Sequence, residues 1–334
     1  MRAKRFRLCR SFTVAGHPMT RIHSSLIIAL SVLLSALANA AEPQVVTVTL
    51  VSPSWNTGLP TAVARGAGFF KEENLEVRPV TLSSSGAIMM ALMMSGQTDL
   101  VISGATAILR GIARGAPVII VSGQHSRMNY ALIGSGTTKS INDLKGKAIG
   151  ITGFGGMGEF AVVESLKRHG LVKDRDFSVL NIEGGAAARV AALKAGKVHA
   201  VPVTPGQRVQ AEKDGFNILM DVRDTLTEVP SNVVTATKEF TKANPDRLVR
   251  FLRAVNKGID LIKRDKDRAI AIGKANGLRG DLAIERKALD YYADDLDLRI
   301  KKEQIGAYLK LLDVNESADR YFDSSFLTRA IGAN

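Results

Sequence analysis

Between residues 45 and 237 the chain repeats one alternation. Short β-branched apolar runs end in turns of glycine, serine and threonine, and each turn opens an amphipathic stretch of helical period. The first run, 45–51, ends in Ser52-Pro-Ser-Trp-Asn-Thr-Gly58, and a helix is expected over 60–70 with Pro60 in its first turn. A strand over 76–82 runs into three serines and Gly86, then a helix over 88–94. A third strand, 100–103, meets Gly104 to Thr106 and another helix, and 118–122 is the fourth. Beyond residues 125–129 the alternation resumes, with strands expected over 130–133, 148–151, 177–182, 198–203, 216–220 and 232–237. Such a succession predicts mostly parallel sheets whose loops gather at one edge.

From Asn244 the texture changes to helical periods alone, over 246–262, 266–274, 282–290, 302–312 and 325–331. A helical tail must bury its apolar faces, and the first sheet is its expected support. The expected class is α/β, with two lobes, each a mostly parallel sheet flanked by helices. The first lobe comprises 43–127 plus 234–334 and the second 128–233, so the chain crosses twice and the lobes can hinge.

The densest turn is Thr152-Gly-Phe-Gly-Gly-Met-Gly-Glu159, between the strand over 148–151 and a helix beginning at Glu159. Its glycines allow a tight reversal and leave the amides of a helix start uncovered, a suitable wall for a polar or anionic ligand. Gly153-Phe-Gly-Gly-Met-Gly158 also satisfies the dinucleotide pattern G-x-G-x-x-G, with Glu183 closing the next strand. Against that reading, the motif lies mid-chain and no histidine–acid arrangement accompanies it.

The formal charge of +13 suggests nucleic acid until it is located. Six of these charges, on Arg2, Lys4, Arg5, Arg7, Arg10 and Arg21, lie in residues 1–41, which hold no acid. The rest are scattered among acids, an ordinary solvated surface with no nucleic-acid partner expected. The apolar run 27–37 followed by Ala38-Asn39-Ala40 makes 1–40 an export signal, with Met19 a candidate true start. The processed chain would then be soluble in a bacterial periplasm, and without Cys9 it holds no cysteine.

Tests for chemistry find no Walker A run, no G-x-S-x-G elbow and no metal-spaced histidines. His169 precedes Gly170 at a helix end, where an imidazole sits well for structural reasons. His125 follows a strand end near the first crossing and is the histidine worth following. The methionines at 89, 90, 93 and 94 read as core, and Asp294, Asp295 and Asp297 as solvated charge. No catalytic residue, cofactor or metal is expected.

Ala64-Arg-Gly-Ala-Gly-Phe-Phe-Lys-Glu-Glu-Asn-Leu-Glu-Val77, then Ala91 through Gln97-Thr-Asp-Leu100, then Asp143-Leu-Lys-Gly-Lys-Ala-Ile-Gly-Ile-Thr152 carry a resemblance. They resemble the solute-binding proteins of ABC importers in the nitrate/sulfonate/taurine group (SsuA-like), which shares its fold with the NMT1/THI5-like pyrimidine-precursor proteins. The resemblance implies the two-lobed type II periplasmic binding protein fold. It also implies a monomer that closes on a small solute and presents it to a membrane permease driven by a cytoplasmic ATPase. The ligand-loop positions it implies are Ser54, Trp55, Ser84, Ser85, Gly104, Thr106, Gln124 and His125 in the first lobe. In the second they are Thr152, Phe154, Gly155, Met157, Gly185 and Thr204. Arg127 and Arg189 are the candidates for a cleft cation. Trp55, Phe154 and Met157 favour an organic anion, a carboxylate or sulfonate with an apolar or aromatic part. Two other readings stay open. One is an enzyme on this scaffold, a nucleotide-dependent one or a pyrimidine-precursor synthase that consumes a histidine. The other is an adaptor that reports its ligand to a receptor.

Overall fold

A computed structural model describes residues 42–50, 54–81 and 86–332. Ser84, Ser85, Cys9 and the export segment 1–40 lie outside the described residues. The described residues from Pro43 onward form one compact unit. Within it the strands sort into two five-stranded sheets.

In chain order the elements begin with β1 (Gln44–Leu50), α1 (Trp55–Gly66), α2 (Phe69–Glu72), β2 (Leu75–Thr81), α3 (Gly86–Met94), β3 (Leu100–Gly104), α4 (Ala105–Ala113) and β4 (Val118–Gly123). The second group is β5 (Ala131–Gly134), β6 (Lys147–Ile151), α5 (Met157–Arg168), β7 (Phe177–Asn181), α6 (Gly185–Lys194), β8 (Ala200–Val203), α7 (Pro205–Lys213), β9 (Asn217–Asp221) and α8 (Val222–Thr225). The chain then returns through β10 (Asn232–Thr237) to α9 (Lys238–Ala243), α10 (Pro245–Arg264), α11 (Lys266–Ala275), α12 (Leu282–Tyr292), α13 (Lys302–Leu311) and α14 (Ser325–Ile331).

The sheet orders are β2-β1-β3-β10-β4 and β7-β6-β8-β5-β9. Each is mixed, with one reversed strand. β10 runs antiparallel to β3 and β4, and β5 antiparallel to β8 and β9. The reversal has a topological cause. Strands that end at the edge facing the other sheet deliver the chain to it, so the strand receiving the chain after a crossing starts at that edge and runs away from it. β5 and β10 are those receiving strands. Alternation of apolar and polar positions carries no strand direction, so only the mostly parallel part of each sheet was expected.

The first helix also differs from expectation. α1 starts at Trp55, five residues early, because Ser54 takes an extended conformation and its side chain accepts the Thr57 N–H at 3.4 Å. Pro60 consequently lies inside the helix, and Phe69 and Phe70 form a separate turn after Gly68, whose φ is 84°.

The tail supports more than the first sheet. α10 lays its apolar stripe, Leu248, Phe251, Leu252, Val255 and Ile259, into the same buried cluster as Val46, Val48 and Leu59. α13 instead joins a buried cluster drawn from both lobes, which holds Ile108 of α4 and Ile120 of β4 together with Ile149 of β6 and Leu166 of α5. There the ring of Tyr308 of α13 packs at a tilt of 37° against Phe160 of α5, ring centroids 4.6 Å apart.

Candidate functional site

The start of α4 after β3 and the glycine turn between β6 and α5 approach each other at the crevice where the two sheets meet, with Gly104 beside Met157 and Arg110 beside Gly155. On the second-sheet side, Arg189 rises from α6 (Gly-Ala-Ala-Ala-Arg-Val) and is only 7% exposed. Its Nη1 donates to Thr152 Oγ1 at 2.6 Å, and its Nε has no partner among the described residues. No carboxylate pairs with Arg189 among the described ion pairs. Burial pulls its pKa below the ordinary arginine range, but a guanidinium keeps its charge at any physiological pH. A buried cation without a counter-charge is costly, and an anionic ligand would relieve that cost.

Across from it, Arg110 of α4 brings Nη1 to 2.8 Å from where a Cβ on Gly155 would stand. Gly155 has a φ of 75°, so glycine is needed there for conformation, while the Arg110 tip could swing aside. Arg110 escaped the sequence reading because nothing in Ile-Leu-Arg-Gly-Ile marks it as crossing to the other sheet. Arg189 was one of the two cations that the family resemblance offered, and it is the only charge in the first turns of a helix otherwise built of small apolar residues.

The other candidate cation is corrected. Arg127 pairs with Asp295 at 2.7 Å, so its charge already has a partner. Trp55 is corrected as a stacking platform. It is 2% exposed, its Nε1–H donates to Arg279 O at 2.9 Å, and its ring lies 2.6 Å from where a Cβ on Gly273 would be. The partners that bury it come from the tail, more than two hundred residues away in sequence.

Several expected hydroxyls and amides have structural partners. Ser54 caps α1, and Thr204 caps α7 in a capping box with Gln207. Thr106 is fully buried, its Oγ1 2.7 Å from Tyr308 OH. Gly155 N–H donates to Glu159 Oε2 at 2.6 Å, and Glu159 also pairs with Lys173 at 2.6 Å. A pyrophosphate at this helix start would meet that carboxylate, so the dinucleotide reading loses its binding point. Gly185, at φ 77°, starts α6 beside the second-sheet face. Phe154 is 66% exposed, with the Lys173 ammonium 5.8 Å from its ring centre.

Gln124 and His125 are fully buried where the two chain crossings meet. Gln124 Nε2 donates to Thr57 O at 3.0 Å, leaving its Oε1 without a partner among the described residues. His125 Nδ1 lies 3.4 Å from Asn232 Nδ2, and its Nε2 likewise has no partner. Burial pushes the imidazole pKa down to about 3, so the ring is neutral. The crossing strands are tied through Ser231 N to His125 O at 3.1 Å and Gln124 N to Asn232 O at 2.8 Å.

Met157, the first residue of α5, reaches into the crevice. Its Cε lies 2.2 Å from where a Cβ on Gly104 would be, and its Sδ lies 3.3 Å from Ser231 Oγ. Beside the crossing, the space bordered by Tyr130, Arg208, Arg223 and Tyr291 amounts to about 10 Å³, room for about one water.

The family model described as NMT1/THI5 like matches residues 56–269, well over half of the chain. The chain belongs to the NMT1/THI5-like family. Among curated members, a 4-amino-5-hydroxymethyl-2-methylpyrimidine phosphate synthase of Saccharomyces cerevisiae is 26% identical over 227 residues. That stretch is 63% of this chain and 65% of the yeast protein, so the match spans less than two thirds of the relative. A riboflavin-binding protein, RibY, of Chloroflexus aurantiacus is 25% identical over 238 residues, 69% of this chain and 66% of that one. Among solved structures, the periplasmic aliphatic sulphonate binding protein SsuA of Escherichia coli superposes with a TM-score of 0.70. It is 16% identical, and the match covers 83% of this chain and 91% of that one. This NMT1/THI5-like chain therefore shares the two-lobed fold of periplasmic binding proteins. No helix among its described residues is long and apolar enough to cross a membrane.

Proposed function

We propose that the protein is an extracytoplasmic receptor that captures a small organic anion between its lobes and delivers it to an ABC-type permease. The observation that carries this reading is Arg189, buried at the crevice with one bond to Thr152 and no counter-charge among the described residues. A carboxylate or sulfonate would supply that counter-charge, and exposed Phe154 offers an apolar surface at the same lip. Exported, the chain would act in the periplasm as a monomer, hinging at the crossings near residues 127 and 233 while the permease's ATPase drives release. The resemblance of fold to SsuA supports the receptor reading, and RibY shows a binding protein among the sequence relatives.

Native mass spectrometry of protein purified without refolding is the test, reading the mass of any retained molecule. Arg189→Met should weaken that molecule about thirtyfold or more, on the order of 2 kcal/mol. The thermal midpoint should hold or rise, because methionine fills the buried stem without a charge. An affinity unchanged by this substitution would remove the anion from the proposal.

The second reading, a pyrimidine-precursor synthase, is favoured by the name of the yeast relatives. Its histidine here would be His125, which is 0% exposed and neutral, so the lobes would have to part before a substrate reached it. Incubation followed by intact-protein and solute mass analysis separates the two. A new product, or a chain whose mass has changed at His125, favours the enzyme.

A further inference from the structure

Gly104 caps α4 with φ −59° and ψ 132°, a conformation any residue adopts. The space a Cβ would take there is filled by Met157, whose tip lies 2.2 Å from that position and whose Cβ lies 3.3 Å from it, so any side chain at 104 would push the flexible thioether aside. Side chains at a helix start lean back past the N-terminus, which carries this thioether out of the second lobe and into the crevice. Its sulfur lies 3.3 Å from the hydroxyl of Ser231, a residue of the second crossing that is 1% exposed. The same hydroxyl stands 3.2 Å from Asn129 Oδ1, so one proton is shared between a carbonyl and a weak sulfur acceptor. One flexible side chain thus touches the first lobe, the second lobe and the crossing, the three surfaces that a bridging solute would touch.

Resting on the receptor reading, we propose that Met157 is a self-plug: in the ligand-free protein its thioether sits in the solute's seat and holds the lobes together until a solute displaces it. Methionine suits this role. It has three rotatable bonds and only weak polar attachments, so it can leave at small cost, whereas a leucine or phenylalanine would set a fixed wall. Any solute competes with it, and apparent affinity falls by the fraction of molecules in the plugged state.

The plug can be tested without knowing the solute. The full chain is labelled with methyl-13C methionine and dialysed free of small molecules. The Met157 signal is identified by its loss in Met157→Leu, and a soluble gadolinium chelate is added. Met89 and Met93, each 1% exposed, and Met94, 48% exposed, serve as internal standards. Met157 is half-buried as a residue with its tip against Gly104, so we expect its methyl to relax more slowly than that of Met94 and faster than those of Met89 and Met93. Gly104→Leu, which fills the seat, should abolish that protection, bring Met157 to the Met94 rate and raise the radius of gyration in X-ray scattering. Gly104→Ala, a smaller intrusion, should move the methyl in the same direction if the leucine variant does not fold. A Met157 methyl as exposed as that of Met94 in the unsubstituted protein would overturn the proposal, as would protection unchanged in the substituted chains. Protection in a protein that retains and binds no solute would sink the receptor reading and the plug with it, leaving only a packing contact between Met157 and Gly104. An exposed Met157 methyl in a protein that does retain a solute sinks the plug alone.

Discussion

At Glu285 a carboxyl of α12 in the tail is packed against the second lobe. Both of its oxygens lie within 2.9 Å of where a Cβ on Gly206 would stand, in the first turn of α7. Burial, and secondarily the charge of Asp281 one turn earlier, raise its pKa from 4.5 to about 7. The folded chain therefore holds a proton that the unfolded chain releases, and this contribution to stability is complete below about pH 4.5. It is lost as pH rises through 7. We expect Glu285→Gln, which keeps the shape without the charge, to melt close to the unsubstituted protein at pH 5 and above it at pH 8.5. Parallel melting curves across that range would show that the carboxyl is solvated in the folded protein. His125 acts in the opposite sense: its folded pKa is held at about 3 while the unfolded imidazole takes up a proton below about 6.5. It therefore costs stability as pH falls from 6.5 towards 3, and it does so equally with or without the Glu285 substitution. Neither environment is visible in sequence, because the groups around Glu285 and His125 arrive from the other lobe and from the tail. Trp55 failed as a cleft residue for the same reason, since its polar local context hid burial by Gly273 and Arg279.

Strands and helices were largely legible, because they follow from local periods of two and 3.6 and from caps near in sequence. The expected strand at 232–237 is β10, and the expected helix at 325–331 is α14. Where expectation slipped, a cap was passed over, as Ser54 was at α1, or direction mattered, as at β5 and β10. Packing between helices belongs to the illegible part. Gly258 lies mid-way along α10, where a helix pattern alone would favour alanine. It is there because α10 crosses α1 so closely that a Cβ would stand 2.8 Å from Pro60 O and 3.1 Å from Ala64 N. Those are backbone atoms and cannot swing aside as a side chain can, so the two helices would have to separate. Gly258→Ala should accordingly lose about 1–3 kcal/mol in urea unfolding, despite alanine's better helix propensity. A gain in stability would mean that the helices part readily and that propensity decides.

Across the whole molecule, the tail pins the first chain crossing as well as covering the first sheet. Asp295, just beyond α12 and 1% exposed, was expected to be solvated charge. Its carboxylate instead meets Arg127 of the first crossing at 2.7 Å and Arg223 of α8 at 3.3 Å. Its carbonyl oxygen accepts the Ser126 N–H at 2.8 Å. Removing the carboxylate leaves two guanidinium groups facing each other around a buried void, so Asp295→Ala should cost about 3–5 kcal/mol. Arg127→Met removes only one of the two cations, and its side chain is 42% exposed, so alone it should cost much less. Combined, the two substitutions should cost less than their sum, because the second relieves part of the repulsion created by the first. Asp319→Ala, at a carboxylate 67% exposed and paired with Lys302, is the control for a surface ion pair. Urea midpoints for the four chains decide the matter. A loss at Asp295 no larger than at Asp319, or strict additivity with Arg127, would mean that the crossing is held by its backbone bonds alone. Hinge motion would then be free of the tail.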